Sequence, residues 1–163
     1  MRKGLIKIVI AEIIFLVILG GIIAYTLYDR TPEDVSLSDI AEDFEAEFDT
    51  SCMQKSGAMR IKRAFGINPS DYEDYLYYMP ANTMDVDELL IVKTGDESLN
   101  DALVRAVNER LDSQKKTFDG YGTDQLDILK GAQIFTAGQY VCFMVSGEAD
   151  RWLDFIKQEI KIK

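Results

Sequence analysis

The sequence predicts an α+β protein: an N-terminal transmembrane helix, then a two-layer sandwich of two ββα units with a four-stranded, mainly antiparallel sheet. Three observations predict it. From Ile8 to Tyr28 the 21 residues carry no charge except Glu12. Beyond them, runs of alternating apolar residues precede runs at helical spacing, twice in succession. Glycines and prolines fall at the joints between those runs.

The apolar stretch comes first. As a helix it extends about 30 Å, the thickness of a hydrocarbon core. Arg2, Lys3 and Lys7 precede it, while Asp29, Glu33 and Asp34 follow with only Arg30 opposing them. The positive-inside rule then puts the N-terminus in the cytoplasm. The run exceeds the usual apolar region of a secretory signal, and Ile22-Ile23-Ala24 makes a poor cleavage site, so an uncleaved signal anchor is expected over 1–28. Glu12 sits little more than one turn inside and is expected to reach back to the interface. Thr31-Pro32 ends the helix and opens a tether over 29–35, leaving 36–163 as the extracytoplasmic domain.

In that domain Ser36 reads as an N-cap for a helix with Leu37, Ile40, Ala41, Phe44 and Phe48 on one face and acids on the other. A short helix over 58–65 stops at Gly66. Tyr72 to Met79 alternates as a strand ended by Pro80. Leu89 to Val92 is a second strand, apolar throughout and therefore central in the sheet. A long helix follows from Glu97, with Leu99, Leu103, Ala106, Val107, Leu111 and Phe118 on its inner side. Phe118 closes that face, Gly120 suits the left-handed residue after it, and Thr123 is expected to cap the next helix. Residues 132–137 and 140–145 form a hairpin across Gly138-Gln139. A last helix from Ser146 or Gly147 aligns Trp152, Phe155, Ile156 and Ile160. In its final strand Val141, Phe143 and Val145 face one way and Tyr140, Cys142 and Met144 the other. Both sheet faces are thus apolar, and the second awaits cover from the two N-terminal helices of the domain.

The chemistry is bounded mainly by what is missing. With no histidine, a Ser-His-Asp triad or Cys-His pair has no base, and common zinc sites lose a usual ligand. Ser113-Gln114-Lys115-Lys116 and Lys93-Thr94-Gly95 fit fragments of serine acyltransferases, but in reversed order and without the third motif. Past Tyr28 the chain has 15 basic and 27 acidic residues, net −12, which repels nucleic acid. The acidic groups around Asp71 to Asp74 and Asp85 to Glu88 lack the pattern of an EF-hand loop and read as solvated charge. Lys55, Arg60, Lys62 and Arg63 form the one local exception to the acidic field. No cofactor is expected. Cys52 and Cys142 are either a disulfide or two buried thiols.

Three stretches, MDVDELLIVK (84–93), RLDSQKKTFDGYGTDQLDIL (110–129) and GQYVCFMVS (138–146), resemble a family of uncharacterised domains found in membrane-anchored proteins and lipoproteins of Gram-positive bacteria. Gln139 stands where that family's asparagine is expected, and the cysteines are not part of its pattern. The resemblance implies an extracytoplasmic domain tethered to the cell membrane and supplies no catalytic residue. Together these readings lead to a non-enzymatic interaction module of the cell envelope. It is held in the bilayer by Ile8 to Tyr28 and meets a protein partner through Phe118, Tyr121, Tyr75 and Tyr77. A small-ligand sensor and a carboxylate-only hydrolase are the alternatives.

Overall fold

The computed structural model describes residues 12–21 and 34–161. Residues 12–21 form helix α1, whose apolar side chains from Ile13 to Leu19 are all exposed. Among the described residues no helix is long and apolar enough to cross a membrane. The remainder of the expected span, 8–11 and 22–28, lies outside the described residues, as does most of the expected tether.

The rest is a mixed α/β domain: α2 (Leu37–Glu47), β1 (Met53–Lys55), α3 (Ala58–Phe65), β2 (Asp74–Pro80), β3 (Glu88–Lys93), α4 (Asn100–Phe118), α5 (Thr123–Lys130), β4 (Gln133–Ala137), β5 (Tyr140–Val145) and α6 (Ala149–Glu159). Short 3-10 turns precede β2 and α4. The strands form one five-stranded sheet in the order β1-β2-β3-β5-β4, antiparallel throughout. β3 and β5 occupy its middle, and every residue of each is buried, as the unbroken apolar run of β3 predicts.

Two expectations are corrected. The sheet has five strands, not four, because Met53–Lys55 pairs with the outer edge of β2 (Gln54 opposite Met79); three residues are too few to show alternation. The sandwich has three layers, not two, because the helices of the two ββα units cover opposite faces. Leu76, Tyr78, Leu89, Ile91, Tyr140, Cys142 and Met144 meet α2 and α6 in one core. Tyr77, Leu90, Val92, Val141, Phe143 and Val145 meet α3, α4 and α5 in the other. Strand alternation fixes which side chains enter each core, but the loop after each strand decides which face its helix takes. So α2 pairs with α6, and α3 joins α4.

Aromatic rings seal the α2–α6 layer. Phe44 meets Trp152 edge-on at 5.1 Å, and Phe48 meets Phe155 at 5.5 Å with ring planes 88° apart. Such pairs contribute about 0.5–1.5 kcal/mol each beyond the area they bury. Tyr78, beneath this layer, donates its hydroxyl to Glu45 of α2.

The segment entering α2 is clamped at one end of the sheet. Val35 N–H donates to the Tyr140 hydroxyl at 3.1 Å, and Lys93 Nζ donates to Asp34 Oδ1 at 2.6 Å and also to Glu73. These hydrogen bonds to Asp34 and Glu73 push the Lys93 ammonium well above its ordinary range, outweighing the opposing effect of burial.

At the α4–α5 corner, Gly120 has φ +89°, where a side chain is strained, and a Cβ on Gly122 would come within 2.6 Å of the Phe118 ring. Both glycines are therefore demanded by the turn itself. Thr123 is the first residue of α5 and Gly122 its N-cap, so the expected threonine cap is corrected. The cysteines are free thiols. Cys142 is on β5 and Cys52 precedes β1, with β2 and β3 between; at ~4.8 Å per strand that spacing exceeds the reach of a disulfide. Burial pushes the Cys142 thiol up to about 12.

Candidate functional site

Glu88 begins β3 with the same parity as Leu90 and Val92, so its side chain enters the layer beneath α4, and it is fully buried. Its position is corrected accordingly: it is not part of a solvated acidic surface. Arg110 and Gln114, one turn apart on α4, project to the same place. Glu88 Oε1 accepts the Tyr77 hydroxyl at 2.6 Å; Oε2 accepts Gln114 Nε2 at 2.8 Å and Arg110 Nε at 3.3 Å. One cation and two neutral donors thus compensate the buried carboxylate. Burial, with the charge and hydrogen bond of Glu88, pushes the Tyr77 hydroxyl far up, against weaker opposing pulls from Arg110 and Arg60. Tyr77 therefore remains a donor.

Above this network a cleft of about 380 Å³ opens between α3, α4 and the β2–β3 connection. Arg60, Arg110, Gln114, Asp85 and Phe118 are among its walls. A neighbouring hollow of about 230 Å³ shares Arg60, Met79 and Arg110 and adds Arg63 and Tyr77. Arg60 and Arg63 are exposed and have no carboxylate partner among the described residues. Arg110 uses Nε on Glu88, and its terminal nitrogens find no acceptor among the described residues. Gln114, having turned its amide nitrogen to Glu88, keeps a buried Oε1 with no donor among them. Asp85 is engaged by Asn82 Nδ2 at 2.8 Å.

The four residues expected to meet a partner are placed differently from one another. Phe118 is buried and lines the larger cleft; Tyr121 is 66% exposed, with its ring 6.0 Å from that of Phe118. Tyr77 is buried and lines the smaller hollow, while half-buried Tyr75 lines neither. Sequence reading missed Arg110, Gln114 and Glu88. The signal for Glu88 was its parity with Leu90 and Val92 at the mouth of a wholly apolar strand.

Other candidates disperse. Asp71 accepts Asn68 Nδ2 at 3.0 Å, Glu73 holds Lys93, and Asp74 accepts the Tyr75 amide. Among the described residues no group of three or more Cys, Asp and Glu is arranged to hold a metal ion. Ser113 is exposed on α4, and Lys93 is occupied by Asp34 and Glu73, so the acyltransferase-like fragments do not assemble.

The described residues define a mixed α/β domain with an arginine-lined cleft at one end of an antiparallel sheet. The chain belongs to the family described as Domain of unknown function (DUF4358), matched over residues 46–146, which takes in β1 to β5 and the whole cleft. Comparison with curated proteins and with solved structures finds no match.

Proposed function

We propose that this protein is an interaction module of the bacterial cell envelope, anchored in the membrane through Ile8 to Tyr28, with its domain on the extracytoplasmic side and its arginine-lined cleft meeting the partner. One observation carries the reading. The chain enters the domain at the Lys93 end of β3, clamped by Asp34 and Val35, whereas Glu88 and the cleft lie at the opposite end. Five residue steps separate them, about 17 Å at ~3.3 Å per residue. A domain tethered at the first end presents its cleft away from the bilayer. The exposed apolar side chains of α1 support a membrane environment for the N-terminal segment, since a row of them in water is costly. The acidic domain favours standing off from anionic headgroups.

Binding is favoured over hydrolysis by the state of the acids. A carboxylate-only hydrolase needs two acids converging on a substrate. Asp85 lines the cleft, but Glu88 is sealed beneath Arg110 and Gln114.

The test is site-specific photo-crosslinking in intact cells, with the reactive group at Arg63 beside the cleft or at exposed Asp43 on the opposite face of the domain. The expected result is a discrete adduct from position 63 and none from 43. Identical adducts from both, or none from either across several growth conditions, would overturn the reading.

A further inference from the structure

The cleft's lining says what kind of group it receives. In a domain with a large excess of acids, two arginines, Arg60 and Arg110, line one opening and a third, Arg63, joins them in the hollow beside it; none of Arg60, Arg63 or the terminal nitrogens of Arg110 has a protein acceptor among the described residues. Arg110 is also fixed: its Nε on Glu88 and the packing of α4 aim a planar fork whose remaining donors match the two oxygens of a carboxylate. Yet the lining is not purely cationic. Asp85 stands in the same wall, and Gln114, more than nine-tenths buried, has an amide oxygen without a donor among the described residues. A phosphate or other polyanion sets more negative charge against Asp85 than a carboxylate does, and having no N–H it can serve Gln114 only through a residual O–H. A group that joins a carboxylate to an N–H satisfies both halves of the lining. The cleft's volume of about 380 Å³ lies near the lower end of the usual range of ~300–1,000 Å³ for ligand sites, room for one or two amino-acid residues.

We infer that the cleft binds the carboxyl end of a peptide, with the terminal carboxylate on Arg60 and Arg110 and the neighbouring N–H directed to Asp85 and Gln114. The same chemistry has a second source, a free amino acid, in which the ammonium replaces the amide N–H. The inference takes from the proposal above only that the cleft is a binding surface, not that it meets a partner in the envelope or how the protein is oriented in a membrane.

The experiment uses the full chain in detergent micelles and follows its arginine side-chain Nε–H signals by NMR. Four probes are titrated: L-alanyl-L-alanine, its C-terminal amide, N-acetyl-L-alanyl-L-alanine and L-alanine. Saturable shifts are expected with both free-carboxylate peptides, at least tenfold weaker with the C-terminal amide. Shifts with L-alanine as strong as with the peptides would assign the site to free amino acids; weaker ones would assign it to chain ends. R60A, an exposed change that should leave the fold intact, is expected to weaken binding about tenfold, and R151A on the far helix α6 to leave it unchanged. Equal binding of amide and acid, no effect of R60A, or stronger binding of inorganic phosphate run as a fifth probe would overturn the inference. Saturation here alongside absent crosslinks in cells would sink the proposed envelope role and leave the inference standing. The reverse pattern would do the opposite.

Discussion

At Glu88 a carboxylate sits out of water, held by Tyr77, Gln114 and Arg110. Taking such an ion from solvent costs several kcal/mol, offset only while its charged partner remains. Arg110→Ala is therefore expected to destabilise the chain by about 3 kcal/mol, while R110A/E88Q, which removes the charge as well, recovers part of that loss. Urea unfolding followed by the fluorescence of buried Trp152 measures both. If R110A unfolds at the same midpoint as the wild type, the ion pair does not hold this part of the fold. Gln114 illustrates the other side of the balance. Its nitrogen serves Glu88 and its oxygen finds no donor among the described residues, an unmet acceptor of the kind that costs about 1–3 kcal/mol and calls for a reason.

At the scale of elements, much was legible in the sequence because burial and alternation agree there. β3 and β5 are apolar on both faces and proved interior to the sheet, α2 and α6 bury the residues that their periodicity selects, and the long helix does so except for half-buried Ala106 and Leu99, the latter in the 3-10 turn before α4. The α4–α5 corner was legible as punctuation, and the reason for Gly122, a ring pressed against its backbone, emerged only in three dimensions. β1 was illegible because three residues at a sheet edge carry no period. The face taken by each helix was illegible for a different reason: it depends on loop geometry, which apolar spacing does not encode. The candidate site was legible only in fragments. Arg60 and Arg63 stood out as a basic group, but their meeting with Arg110, fifty residues on, is a product of packing α3 against α4.

The clamp on Lys93 makes a prediction at this same scale. Its folded pKa is raised above the ordinary lysine value of 10.5, so the charged form is the one the fold prefers. The stability it confers is complete below about pH 10.5 and is lost as the pH rises above that, toward the folded value. K93M is expected to melt below the wild type by a constant margin from pH 7 to 10, the margin narrowing above pH 10.5. Thermal melts across that range are the check; a margin that widens with rising pH would contradict the assignment.

Over the whole molecule, the proposed function rests on polarity from end to end: a clamped chain entry at the Lys93 end of the sheet, arginines and a mixed polar cleft at the Glu88 end, and an excess of acids over bases in the chain as a whole. Burial of two cores, one on each sheet face, makes the domain stiff enough for that separation to be kept. On the proposed reading, that separation holds the cleft at a set distance from the lipid. The most direct test places a fluorophore by cysteine substitution at Met59, 87% exposed and next to cleft-lining Arg60, or at Glu97, exposed just beyond Lys93, in a C52S background with Cys142 buried. With the full chain in liposomes, quenching by nickel-bearing lipid headgroups reports how far each label stands from the surface. The account predicts stronger quenching at position 97 than at 59, by a separation of order the ~17 Å strand length; stronger quenching at 59, or none at either because the chain does not enter the liposomes, would contradict it.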